Sequence, residues 1–292
     1  MPDPIAVANA IAAGVLLGGF YAAVALGIAI AFGLLDIPNL AHPAFVVMGA
    51  FAAWQLNSQL ALDPVLAGLV MALPFFVLGL LVYRLYYVCF ERRGEAQLQG
   101  LAFFFGVLFI TEVTLVLTAG ADYRSVTASY IGVSISVGGI VLPERMLVPA
   151  GVALAMIVLL HQFLVRSFMG RAIQAVAQDE QALRLMGVSP VRVKALAFGL
   201  ATATAAVAGA LLIIVQPVEP SIGRDFIGRA FAAVVLGGMG SLYGTLLASI
   251  LLGITESIVS DMWNPSWAPA IAFGFLLPTL ALRSGGLLGR RL

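Results

Sequence analysis

The sequence predicts an all-α polytopic membrane protein, on the strength of three observations. Of its 292 residues, 62% are hydrophobic and only 10% carry charge, against about 25% charged in soluble domains. Mean hydropathy is +1.07, more apolar surface than a soluble fold of this length can hide. The apolar residues also fall in runs long enough to cross a hydrocarbon core about 30 Å thick, which needs about 20 residues of helix.

Taken in order, the runs lie near residues 5–34, 38–56, 64–90, 98–118, 148–168, 195–215, 225–260 and 265–282. The first follows MPDP, which has no basic residue, and is too long for a signal-peptide core, so it reads as a retained span. The seventh is too long for one crossing and short for two. It contains FAAVVLGGMGSLYG (Phe231 to Gly244), where Gly237, Gly238, Gly240 and Gly244 free the backbone and permit close helix approach. The expectation is one transmembrane domain, residues 1–292, of about eight or nine helices, some short or broken. The stripes Gly14/Gly18 and Gly240/Gly244 read as helix-packing positions. Cys89, the lone cysteine, reads as a small packing residue near a helix end.

Basic residues near span ends mark the cytosolic side. They cluster at Arg84, Arg92 and Arg93, between Arg166 and Lys194, and at Arg283, Arg290 and Arg291. Two spans separate the first two clusters, which places both inside and the N-terminus outside. The C-terminus joins them only if 225–260 crosses twice. The largest external segment, 119–147, alternates polar and apolar residues around Ser134 and Ser136, as a covering loop with a short interfacial strand or helix would. A faint internal echo links Leu35–Phe51 to Ile222–Gly240, each a polar, helix-breaking stretch before a small-residue-rich run, as in an inverted repeat.

The most polar part of the chain is RSFMGRAIQAVAQDEQALRLMGVSPVRVK, Arg166 to Lys194, which holds five of the fifteen basic residues. Residues 170–186 suit a helix with Ile173, Val176, Ala177, Leu183 and Met186 on one face. Gly187 supplies its stop. Ser189 and Pro190 fit the N-cap and first turn of the next helix. A capped helix–turn–helix at the membrane surface is more defined than topology alone requires.

Other chemistry is sparse. A phosphate loop needs G-x-x-x-x-G-K-[ST], and the single lysine, Lys194, follows Val193, so the chain carries no ATP site of that kind. No nucleophile elbow marks a hydrolase. No catalytic residue, metal site or cofactor is expected, and the net charge of +1 gives no reason to expect nucleic acid. Asn39 and His42 lie between Pro38 and Pro43, where freed backbone groups either contact a passing solute or close a turn between two spans. Asp36, Glu112 and Glu256 are acids in or beside apolar runs. Each reads as a helix-end residue or as the coupling acid of an ion-driven transporter.

The segment Asp179–Phe198 resembles the cytoplasmic coupling loop of ATP-binding-cassette (ABC) importer permeases, most closely the branched-chain amino-acid type. Gln181, Ala182 and Leu183 stand where that loop has E-A-A, and Gly187 stands at its glycine. The later I-x-L-P element is absent, since Ala197 to Leu200 reads AFGL. That departure fits the branched-chain subfamily. Gly18–Phe51, Phe231–Gly253 and Leu282–Arg291 are similar to the family's first two spans, glycine-rich late segment and tail. The resemblance implies a non-enzymatic permease subunit in a bacterial inner membrane, surrounded by lipid. It implies a second, non-identical permease subunit, two cytosolic ATP-binding subunits and a periplasmic or external solute-binding protein. Arg171, Asp179, Glu180, Ala182, Arg184, Gly187, Ser189 and Arg192 are then the ATPase-coupling residues. Asn39, His42, Gly237, Gly238, Gly240 and Ser241 line the translocation path.

Overall fold

The structure, a computed structural model, describes residues 4–93 and 96–282. It is all-α apart from one small hairpin, as the hydropathy pattern predicts. Eleven α-helices follow one another among the described residues. The first four are α1 (Pro4–Ala31), α2 (His42–Leu60), α3 (Pro64–Cys89) and α4 (Ala96–Ala119). An outer hairpin of β1 (Ser134–Val137) and β2 (Ile140–Pro143) comes next, then α5 (Glu144–Arg166). Two short helices, α6 (Phe168–Val176) and α7 (Glu180–Leu185), precede α8 (Pro190–Val215), α9 (Gly223–Gly237), α10 (Leu242–Met262) and α11 (Ala268–Leu282). Among the described residues, six helices are long and apolar enough to cross a membrane: α1, α3, α4, α5, α8 and α10. At 15 residues, α9 and α11 reach only about 22 Å at 1.5 Å per residue.

The 225–260 run divides as its glycines foretell. Gly237 ends α9, Gly238 and Gly240 take positive φ (98° and 84°), and Ser241 caps α10 by accepting from the Gly244 amide at 3.1 Å. The close contact differs from the expected Gly240/Gly244 stripe. Gly237 and Gly244 lie backbone to backbone, and Gly240 sits against Gly33. Gly14 and Gly18 do pack as expected, meeting α10 at Ile254 and Ile250, so these two helices run antiparallel. A Cβ at either glycine would land on the α10 backbone.

Helix α8 is the axis of the bundle, with buried residues along its whole length. Gly68 and Gly79 of α3 meet it at Val207 and Thr202, again antiparallel, and Gly49 of α2 meets it at Ala206. Small residues set this architecture because lipid is as apolar as any side chain. Helices then associate through close van der Waals fit more than through solvent exclusion.

The 119–147 segment folds over one end of the bundle. Its hairpin pairs Ser134 with Pro143 and Val137 with Ile140, and it turns on Gly138 and Gly139, both at positive φ, as a two-residue primed turn requires. Asn9 ties it to α1, donating to the Gly139 carbonyl and accepting from the Val141 amide at 2.8 Å. The two echo segments touch: Gly223 at the start of α9 abuts Pro43 at the start of α2. The C-terminal arginines Arg283, Arg290 and Arg291 lie outside the described residues.

Candidate functional site

The polar segment after α5 forms a hairpin at one end of the bundle. The predicted helix over 170–186 is in fact two helices. Asp179 interrupts it, because its carboxylate accepts from the Gln181 and Ala182 amides at 2.8 and 2.9 Å and caps α7. Ser167 caps α6 in the same way, accepting from Gly170 at 2.8 Å. Gly187 ends α7 at φ +79°. Its amide reaches the Arg184 carbonyl and the Val188 amide reaches the Leu183 carbonyl, the two bonds of a Schellman motif. Ser189 is the N-cap of α8 by position, with Pro190 next, but its hydroxyl makes no capping bond.

The face assignment is partly corrected by this break. Ile173, Val176 and Leu183 are buried as expected, whereas Ala177 is exposed and Met186 is 70% exposed beside Leu185 at 90%. Ending α7 at Leu185 turns both apolar side chains off the helix face that packs on the bundle. Arg171, Arg184, Gly187, Ser189 and Arg192 are exposed, while Ala182 is half-buried. The tip of the hairpin is therefore an apolar pair flanked by arginines.

Behind the tip, the hairpin is clamped to two spans. Lys194, in the first turns of α8, bonds Glu91 just past α3 at 2.6 Å and Glu180 of α7 at 2.8 Å. Glu91 also accepts from the buried Tyr83 hydroxyl at 2.9 Å, and Glu180 accepts from Arg184 at 2.6 Å. Burial disfavours the Glu180 carboxylate. The hydrogen bonds from Lys194 and Arg184 outweigh it and hold its pKa below the usual value. The clamp also fixes the hairpin and the α3 end at the same end of the molecule. Sequence reasoning missed Glu91 and Tyr83. The available signal was an acid, Glu91, inside a basic cluster, facing a chain with one lysine.

A second ion pair lies among the spans. Glu256 of α10 is 2% exposed. It accepts from Arg229 Nε of α9 at 3.0 Å and from the Tyr21 hydroxyl of α1 at 2.6 Å. Glu112 of α4 is gripped by both Nε and Nη2 of Arg224. Glu112 and Glu256, two of the three acids read as ion-coupling candidates, are thus each held by an arginine. Asp36 lies in the α1–α2 turn, at φ 56°.

Asn39 and His42 are enclosed in this conformation. Asn39 closes the α1–α2 turn, its Oδ1 accepting from the Ala41 amide, and His42 Nε2 lies 3.2 Å from the Val24 carbonyl. His42 is wholly buried, filling the space that a Cβ on Gly27 would take. His42 Nδ1 and Asn39 Nδ2 have no partner. Gly237, Gly238, Gly240 and Ser241 form the α9–α10 turn, remote in sequence from the α1–α2 turn but joined to it through Gly33 and Gly240.

Residues 10–280 match the model of the family described as branched-chain amino acid transport system / permease component. The chain belongs to that family. It is 28% identical to the permease protein BraD of the high-affinity branched-chain amino acid transport system of Pseudomonas aeruginosa, over 95% of this chain and 94% of BraD. The corresponding LivH of Escherichia coli K12 is also 28% identical, with the same coverage. LivM of Salmonella typhimurium is 29% identical, over 91% of this chain and 70% of LivM. The resemblance drawn from the Asp179–Phe198 segment is borne out. The permease is a transport subunit and not itself an enzyme.

Proposed function

We propose that this permease forms one half of the membrane path of an ABC importer, carrying branched-chain amino acids or a related small polar solute across a bacterial inner membrane. A cytosolic ATP-binding subunit docks on the α6–α7 hairpin, the second docks on a non-identical partner permease, and an external binding protein delivers the solute. LivH and LivM of Escherichia coli K12, both named as permease proteins of one transport system, support the paired arrangement. On this reading the N-terminus is external and the C-terminus cytosolic.

The observation that carries the docking role is the exposed Leu185–Met186 tip. Two exposed apolar side chains on a hairpin that also exposes Arg184 and Arg192 have the composition of an interface anchor with a polar rim. Their backing by the Lys194 clamp gives a push on the tip a rigid route into α3 and α8. Arg171, Asp179, Glu180, Ala182, Gly187 and Ser189 shape and hold the hairpin. In the same scheme the turns at Asn39–His42 and Gly237–Ser241 are the parts of the path that rearrange.

The test is co-purification of the ATP-binding subunits with the permease from detergent. Leu185→Asp with Met186→Asp should abolish association while leaving the permease monodisperse, because neither side chain is packed. Full association of the double variant would reject the docking site.

A further inference from the structure

A cavity of about 190 Å³ lies between α1, the end of α8 and α9. One of its lining residues, Gln216, follows the end of α8 opposite the coupling hairpin. Its apolar wall includes Leu17, Phe20, Val215 and Phe226. Its polar lining is Gln216, Asp225 and Arg229, with Tyr21 beside them.

These polar groups are not used up by the fold. Arg229 spends Nε on Glu256 and Nη1 on the Asp225 carbonyl, and among the described residues its Nη2 donates to nothing. The Asp225 carboxylate, one turn before Arg229 on the same helix, and the Gln216 side-chain amide likewise make no hydrogen bond among the described residues. Gln216 and Arg229 are partly buried and Asp225 is exposed near the start of α9, so the cavity presents free bonding capacity of both charges to an entering solute.

We infer that this cavity is a solute-binding station for a zwitterion with an apolar side chain. Arg229 Nη2 takes the carboxylate, Asp225 takes the ammonium group, Gln216 bridges the two, and Phe20 and Phe226 pack the side chain. Glu256 and Tyr21 fix the guanidinium so that its free edge faces the cavity. Arg229, Asp225 and Gln216 are the ligand-binding residues, and Glu256 is a positioning residue. The inference rests on the reading of the chain as an amino-acid permease and names the chemistry of its station.

The experiment is leucine uptake by the complete importer in proteoliposomes, with ATP hydrolysis measured in parallel. Asp225→Asn should cut uptake at least tenfold with hydrolysis retained, and Asp225→Glu should restore it to within threefold. Gln216→Leu and Arg229→Lys should each lower uptake several-fold. Asp225 and Gln216 lie outside the Arg229–Glu256 pair, so their variants keep the test alive if Arg229 variants fail to fold. Uptake unchanged in Asp225→Asn and Gln216→Leu overturns the station while leaving the permease reading intact. Uptake and hydrolysis falling together also overturn it, since the residues then brace the fold. A natural-sequence importer that moves no leucine rejects branched-chain amino acids as the cargo, and the station with them.

Discussion

The permease contains two three-residue ion networks of similar bonding and different surroundings. At the hairpin, Lys194 is shared by Glu91 and Glu180, with side chains 13% to 33% exposed. Among the spans, Glu256 is shared by Arg229 and Tyr21 and is almost wholly enclosed. Water touching the first network solvates a charge whose partner is lost. In the second, Glu256 is 2% exposed against 15% for Arg229, so losing Arg229 leaves an enclosed carboxylate uncompensated. Loss of a partner at the hairpin clamp is therefore cushioned by water, whereas loss of Arg229 from the inner pair is not.

The largest expected effect comes from breaking the inner pair. Arg229→Met should cost about 3–5 kcal/mol by stranding the enclosed Glu256 carboxylate, seen as loss of monodisperse permease or a collapse of the unfolding midpoint in detergent. Arg229→Met combined with Glu256→Met should recover much of that loss, because no charge is then stranded. Recovery by the pair would show that charge burial, rather than packing around α10, sets the cost.

A smaller effect is expected at the clamp. Lys194→Met should cost about 1–3 kcal/mol in denaturant unfolding, from two carboxylates left short of a donor. It should also lower uptake more than ATP hydrolysis, since the hairpin would then move without carrying α3 and α8. Equal loss of both activities would place Lys194 in folding alone. Smaller again, Asp179→Ala should cost about 1 kcal/mol through loss of the α7 cap, read as faster amide exchange confined to residues 180–187.

The smallest effect is with pH. Glu180 has its pKa depressed, so its contribution is fully present above the ordinary carboxylate value of 4.5 and is lost as pH falls from there through the folded value. Unfolding between pH 5 and 8 should show no Glu180-dependent change, and Glu180→Gln should differ from the natural sequence most at neutral pH and least in acid. A Glu180 dependence that grows toward acid would mean the clamp is not ionised as drawn.

The legible parts of the fold were those written in contiguous residues. The split of 225–260 followed from Gly237 to Gly244, the stop of α7 from Gly187, and the start of α8 from Ser189–Pro190. The division of α6 from α7 was written locally too, in Asp179. Helical spacing on both sides of it gave the stronger signal and concealed it, and the faces of Ala177 and Met186 were misassigned as a result. Glycine partners were less legible. Gly14/Gly18 and Gly240/Gly244 are spaced like packing positions, but their partners, α10 for the first pair and Gly33 and Gly237 for the second, were not written in that spacing.

By itself the sequence determined that this chain lies in a membrane, where several of its helices stop or start, and that one polar hairpin joins two spans. Those properties depend on hydrophobic run length, capping and backbone freedom, all of which act over a few residues. Only the tertiary structure decided that Glu91 would meet Lys194, that Arg229 would meet Glu256 and Tyr21, and that Asp225 would face a cavity beside Phe20. These contacts join positions far apart in the chain. They are set by which small residues let which helices approach, and that choice belongs to the packed bundle as a whole.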